Sequence, residues 1–171
     1  MSPRIVILTG AGISAESGVA TFRDANGLWE NPRTEDVASL EGFRRAPALV
    51  NRFYDLRRAQ ALAVQPNAAH LALARLEERL PGEVLIVTQN VDDLHERAGS
   101  SNVLHIHGTL GSALCTFCGQ RTPWTGPLGD YPPCPACGEA TLRPDIVWFG
   151  ESVHHLDEIA AAVEGCETFV V

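Results

Sequence analysis

Lysine is missing altogether: the 13 cationic side chains of this 171-residue chain are all arginine, set against 21 acidic ones, for a formal charge of −8 and a pI near 5.1. No basic patch is available to bind nucleic acid, although an acidic surface slightly favours basic peptides by long-range steering. Long apolar runs are missing too. After Met1 the only early one is the IVIL of Pro3 to Thr9, PRIVILT, which ends at once in a glycine-rich turn. Neither a signal-peptide core nor a membrane span is present there, and a cytoplasmic location is expected. Repeats and low-complexity tracts are also lacking. The 45% hydrophobic content suffices for the core of one domain with a small inserted module.

The apolar run leads into GAGISAESGVATFR, Gly10 to Arg23. Gly10, Gly12 and Ala15 fit G-x-G-x-x-G/A at a strand-to-helix turn, where glycine lets the backbone approach a pyrophosphate and a helix N-terminus offers free N–H groups. A dehydrogenase should then show a second strand about 20 residues on, ending in an acidic ribose ligand. The chain instead continues TFRDANGLWENP, which has no strand periodicity and is rich in turn formers. That missing strand counts against a nicotinamide-linked oxidoreductase.

Pro47 to Val64 and Pro66 to Leu80 carry apolar residues at three- and four-residue spacing and read as helices. Glu83 to Thr88, Val103 to Ile106 and Glu167 to Val171 read as strands, and Leu156 to Val163 as a further helix. Strands alternating with helices imply an α/β fold with a Rossmann-like parallel sheet. The chain stops on Phe169-Val170-Val171 in mid-strand, so the sheet is expected to be incomplete at its C-terminal side and the chain a fragment.

Five cysteines in a reducing compartment argue against a disulfide framework. Four of them form Cys115-x-x-Cys118, fifteen residues, then Cys134-x-x-Cys137, in a Gly/Pro-rich stretch that cannot bury a core. This is the spacing of a tetrahedral zinc ribbon, and four thiolates leave no open position for catalysis, so one structural zinc ion per chain is expected. Cys166 has no such partner, and core packing is its default. A zinc-ribbon binding module without catalysis is one rival reading; the net charge is wrong for nucleic acid.

Thr88 to His95, TQNVDDLH, follows the second strand, where open α/β sheets place ligand-binding residues. Asp92 or Asp93 could equally cap the next helix. His107 opens HGTL at the end of the third strand; His70 and His95 lie on helical stretches and read as core or cap residues, and His105 shares a strand face with His107. On the Pro47 helix, Leu49, Val50, Phe53 and Leu56 form an apolar stripe at about 100° per residue; Arg57 falls inside it and Arg58 points away. A core-facing guanidinium needs a carboxylate from the protein or from a ligand, and Tyr54 can donate to the same anion. Spacing alone favours an internal partner.

Taken together, GAGISAESGVATFR, TQNVDDLHERAG, HGTL, the four cysteines and RPDIVWFGE at Arg143 to Glu151 resemble, in order and spacing over nearly the whole chain, the sirtuins, NAD-dependent protein deacylases. The closest resemblance is to the class with bacterial and mitochondrial desuccinylases. It implies that NAD is consumed as a co-substrate, that acylated lysine on proteins is the substrate, and that nicotinamide, free lysine and O-acyl-ADP-ribose are released. Gly10, Ala11, Gly12, Ile13, Glu16, Thr21, Phe22, Arg23 and Trp29 would then contact NAD from a mobile loop. Gln89, Asn90, Val91 and Asp92 would hold nicotinamide and its ribose, and His107 would be the general base. Val147, Trp148, Phe149 and Gly150 would pair with the substrate peptide as an added strand. The family's acyl-selective class has Tyr-x-x-Arg where this chain has Tyr54 and Arg57, which makes the missing carboxylate that of a succinyl or malonyl group.

The implied organisation is a Rossmann-like domain of residues 1–30, 81–112 and 144–171, a helical insertion of 31–80 carrying the acyl pocket, and a zinc module of 113–143. The family's later loops for the adenosine half of NAD do not occur in this sequence, so a catalytically weak or inactive acyl-peptide-binding protein is the alternative. The sequence is silent on oligomeric state.

Overall fold

The computed structural model describes residues 3–19 and 33–171. Its centre is a four-stranded, all-parallel sheet in the order β3-β2-β1-β7, formed by β1 (Ile5–Thr9), β2 (Val84–Thr88), β3 (Val103–His105) and β7 (Thr168–Val170). The run VLIVT of β2 is buried at every position, as a strand covered on both faces must be. Val6, Leu85, Val87 and Ala162 form its core, with Cys166 packed beside them as expected.

The helices are α1 (Ala11–Ala15), α2 (Thr34–Val37), α3 (Leu40–Arg45), α4 (Pro47–Ala63), α5 (Ala68–Arg79), α6 (Leu94–Ala98) and α7 (Leu156–Gly165). Helix α5 starts with a capping box: the Asn67 side chain accepts from Ala69 N, and Asn67 N donates to His70 Nδ1. The structure thereby bears out His70 as a cap residue. Among the described residues no helix is long and apolar enough to cross a membrane.

A second sheet is antiparallel, in the order β5-β4-β6, from β4 (Gly108–Cys115), β5 (Arg121–Pro123) and β6 (Leu142–Ile146). It begins directly after His107 and carries the cysteine module at its far end. Asp55 and Asn51 of α4 pin that module: Asp55 accepts from the amides of Leu128 and Gly129, and Asn51 Nδ2 donates to the Leu128 carbonyl at 3.0 Å.

The buried arc of α4 differs from the expected stripe. Leu49 and Leu56 are 46% and 55% exposed, whereas Val50, Asn51, Phe53, Tyr54, Arg57, Arg58 and Ala61 are buried. At about 100° per residue these seven span roughly 160° on the Tyr54 side of Phe53. Arg58 therefore does not point away. Its Nε donates to the Leu110 carbonyl at 2.7 Å, and its Nη1 donates to Asp55 at 2.8 Å and to the Gly126 carbonyl at 3.1 Å. The internal carboxylate that spacing led one to expect for a core arginine belongs to Arg58.

Candidate active site

A cavity of about 400 Å³ opens where the C-terminal ends of the parallel strands meet the antiparallel sheet and α4. Ala11, Gln89, Asn90, Val91, Asp92 and His107 line one side; Tyr54, Arg57, Val147, Trp148, Phe149 and Gly150 line the other. Gly10, Gly12, Ile13 and Glu16 do not line it, although Gly10 sits against Gln89, 3.6 Å from where a Cβ would lie. Thr21, Phe22, Arg23 and Trp29 lie outside the described residues.

The floor of this cavity is a directed hydrogen-bond network with Ser14 as its hub, a residue the sequence reading passed over. Asn90 Nδ2 donates to Ser14 Oγ at 2.9 Å, and Ser14 Oγ donates to Asp92 Oδ2 at 3.2 Å. Because His70 Nδ1 accepts from the Asn67 amide, its Nε2 carries the proton and faces Ser14 Oγ at 3.5 Å. Asp92 Oδ1 also accepts from Leu94 N at 3.2 Å, one residue ahead of the N-cap position of α6, Asp93, whose own side chain makes no cap bond. Below it His95, 1% exposed, meets Thr9 Oγ1 at 3.0 Å, and burial pushes its pKa down to about 4. A serine buried in the first turn of a helix signals a polar partner; that clue was legible between Gly12 and Glu16.

His107 stands at the cavity wall with Nδ1 3.0 Å from the Gln89 carbonyl. A carbonyl oxygen only accepts, so Nδ1 holds the hydrogen and the Nε2 of a neutral ring keeps a lone pair. Gly108 follows with φ +78°, and a Cβ there would sit 2.0 Å from the Asp145 carbonyl oxygen. Only glycine lets the chain turn from His107 into β4 against β6.

Across the cavity Tyr54 Oη accepts from Trp148 Nε1 at 3.0 Å, which leaves its own proton for another acceptor. Burial pushes the Tyr54 hydroxyl up to about 12, so it remains a neutral donor. Arg57 is 8% exposed; burial lowers its pKa, while Tyr54 and Asp92 act in the opposite direction. Trp148 is itself held: Arg143 stacks 4.0 Å over its ring and donates to both oxygens of Glu151 at 2.9 Å, and Glu151 accepts from the Trp148 amide. Val147 N donates to the His107 carbonyl and Phe149 N to that of Ala38, so this stretch is tied to the chain through its amides, with Phe149 71% exposed beside the opening.

Away from the cavity, the sulfurs of Cys115, Cys118, Cys134 and Cys137 lie within 4.8 Å of one another, with Cys115–Cys137 at 3.7 Å and Cys118–Cys134 at 3.8 Å. A Zn–S bond of about 2.3 Å sets tetrahedral S···S edges of about 3.8 Å, so the four thiols fit a structural zinc ion.

The sequence model of the Sir2 family matches residues 10–171. An NAD-dependent protein deacylase of Bdellovibrio bacteriovorus is 56% identical over 169 residues, which are 97% of this chain and 72% of that protein. One of Shigella flexneri is 53% identical over 171 residues, 98% of this chain and 63% of its own length, so the chain spans under two thirds of that relative. Among solved structures, a Sir2 homologue mutant in complex with ADP ribose superposes with a TM-score of 0.87 at 43% identity, covering 98% of this chain and 68% of that one. A Sir2 homologue–NAD complex gives 0.84 at 45% identity over 95% of this chain and 64% of its own.

Proposed function

Because the chain belongs to the Sir2 family, we propose that it is an NAD-consuming protein-lysine deacylase that prefers acidic acyl groups, succinyl and malonyl above acetyl. The observation that carries the acyl preference is the pair Tyr54 and Arg57 on the wall of the cavity that also holds Asn90, Asp92 and His107. When bound, NAD would supply nicotinamide as a leaving group and a ribose hydroxyl as the acceptor of the acyl group. The donor set suits it: a buried amide and a buried carboxylate, Asn90 and Asp92, face the cavity at the strand ends.

In this reading Asn90 and Asp92 orient nicotinamide and its ribose, with Gln89, Val91 and Ala11 beside them. The Nε2 of His107 takes a proton from a ribose hydroxyl, a task for which its Nδ1 contact to Gln89 sets the tautomer. Arg57 meets the acyl carboxylate bidentately and Tyr54 adds one donor, charge-assisted bonds of roughly 1.5 to 3 kcal/mol each. Trp148 closes the apolar end of the acyl site, and Phe149 and Gly150 meet the peptide. Free thiols poised for zinc suit a reducing compartment, and we place the protein in the cytoplasm. With no lysine in its own sequence, the chain offers the cavity no internal acyl-lysine.

Parallel assays with NAD on succinyl- and acetyl-lysine forms of one peptide test this. Arg57→Met should lower the succinyl-to-acetyl ratio of kcat/KM at least about tenfold, and Tyr54→Phe should lower it less. A proportional fall in both activities would make Arg57 structural.

A further inference from the structure

Two histidines, two residues apart, grip consecutive peptides of the loop after β2. His107 Nδ1 lies 3.0 Å from the Gln89 carbonyl, and His105 Nδ1 lies 2.8 Å from the Asn90 carbonyl. Carbonyls only accept, so each Nδ1 carries a hydrogen. The rings differ at the other nitrogen. His105 Nε2 lies 2.8 Å from Glu96 Oε1, and a carboxylate accepts as well, so both nitrogens of this ring face acceptors, the arrangement that suits an imidazolium. Neither His105 nor Glu96 lines the cavity; the direct contact of His105 with a residue that does is its hydrogen bond to the Asn90 carbonyl.

We propose that the His105–Glu96 imidazolium–carboxylate pair is a positioning device: it anchors the Asn90 carbonyl, fixes the Gln89–Asn90 peptide, and so holds His107 in the Nδ1–H tautomer that leaves Nε2 as a base. Its catalytic consequence rests on the deacylase reading, whereas the charge and the tautomers do not. The charged and titratable groups around His105 agree with this assignment. Burial opposes its charge, but the Glu96 hydrogen bond and charge, the Asn90 carbonyl and the charge of Asp92 together outweigh burial and raise its pKa. His95, on the same helix as Glu96, is held neutral near neutrality by burial, with a pKa of about 4, and does not compete for the carboxylate. The strand neighbour Thr88 is uncharged.

Long-range ¹H–¹⁵N spectra of the histidine rings in the 171-residue chain, assigned by substitution, read this directly. At about pH 7 His105 should show two protonated nitrogens, and the neutral form of the His107 ring should hold its hydrogen at Nδ1. Glu96→Gln keeps the ring and its Asn90 contact but removes the counter-charge, so His105 should titrate about one pH unit or more lower while His107 keeps its tautomer. His105→Leu removes the anchor, and His107 should shift toward the Nε2–H tautomer. His105→Gln, whose amide can still donate to the Asn90 carbonyl, should restore part of the native form.

A neutral His105 in the unaltered chain, a titration unmoved by Glu96→Gln, or a His107 tautomer common to all variants would overturn the proposal. If the leucine variant does not fold, the Glu96→Gln and His105→Gln spectra decide it. A chain that lacks deacylase activity yet gives the expected spectra would count against the proposed function and not against the clamp.

Discussion

Strand β2 buries all five of its residues between neighbouring parallel strands, whereas none of the three residues of β5, at the edge of the cysteine module, is buried. The core under the parallel sheet is aliphatic, Val6, Leu85, Val87 and Ala162; that of the module is Ala113, Cys115, Leu128, Cys134 and Leu142, with two metal-ligating cysteines among five residues. One region folds because apolar side chains leave water. The other buries a smaller apolar core and is expected to close on its ligand set, which leaves its sequence free to be Gly/Pro-rich and aperiodic. The cavity-lining residues Gln89, Asn90, Val91, Asp92 and His107 sit between them, on the ends of the parallel strands and just before β4.

The sharpest way to break this comparison is to remove the metal. One zinc per chain should be found in freshly purified protein, and its removal, or Cys134→Ala, should unfold residues around the four cysteines while the parallel sheet persists. Structural zinc contributes about 10 to 16 kcal/mol in small ribbons, more than the module's core can replace. Amide exchange that stays protected at Ala113 and Leu142 after chelation would show that the module folds on packing alone.

The parallel region should answer to pH instead. His95, pushed down to about 4 by burial, is neutral when folded, while an unfolded histidine titrates near 6.5. Between those values the unfolded chain binds the extra proton, so this contribution is complete above about pH 6.5 and is lost as pH falls toward 4, at most about 3 kcal/mol. His105 has the opposite sign, its raised pKa adding stability at low pH that is lost as pH rises through the folded value. Urea unfolding at about pH 7.5 and 4.5 should therefore show an acid loss that His95→Gln reduces. An unchanged loss in that variant would place the sensitivity elsewhere.

The sequence was legible where folding runs on periodicity. The α4 helix was expected over Pro47 to Val64 and spans Pro47–Ala63, and the expected strands at Glu83 to Thr88, Val103 to Ile106 and Glu167 to Val171 correspond to β2, β3 and β7. The antiparallel sheet was not legible. Its β6 reads LRPDI and is buried throughout, because Arg143 pairs with Glu151 and Trp148 while Asp145 accepts from Ser112 and Arg121. Such charges look like solvent-facing loop until the fold brings in their partners, 8 residues on for the Arg143–Glu151 pair and 33 residues back for Asp145–Ser112. Arg58 misled differently: its charge partner Asp55 is three residues back on the same helix, but what covers that side of α4 is the Leu110 carbonyl, 52 residues away, and the Gly126 carbonyl, 68 residues away.

His107→Ala tests whether chemistry and folding are separable at the junction of the two regions. His107 is only partly buried and makes one hydrogen bond to a carbonyl, so its removal should leave unfolding unchanged. Deacylation should fall about 100-fold or more, the scale of a lost general base. Near-normal turnover would transfer that role to another group.

The smallest effect lies inside the module and compares glycines with each other. Gly119 and Gly138 follow the second cysteine of each pair with φ of +73° and +80°, and their amides donate to the carbonyls of Cys115 and Cys134, closing each ligand turn. A Cβ at either would meet nothing within 4 Å, unlike Gly108, where it would strike a backbone oxygen. Alanine at 119 or 138 therefore brings only the left-handed backbone penalty, about 1 to 2 kcal/mol. Because this module closes on its metal, that penalty should be read as zinc affinity, roughly five- to thirty-fold weaker in a chelator competition, with little change in the unfolding of the parallel sheet. Asparagine, which tolerates positive φ better than alanine, should recover part of it. Equal affinities for the alanine and glycine forms would mean that the turns relax to another conformation without loosening the four sulfurs, and the module would then owe its shape to Asp55 and Asn51 of α4 rather than to its ligand turns.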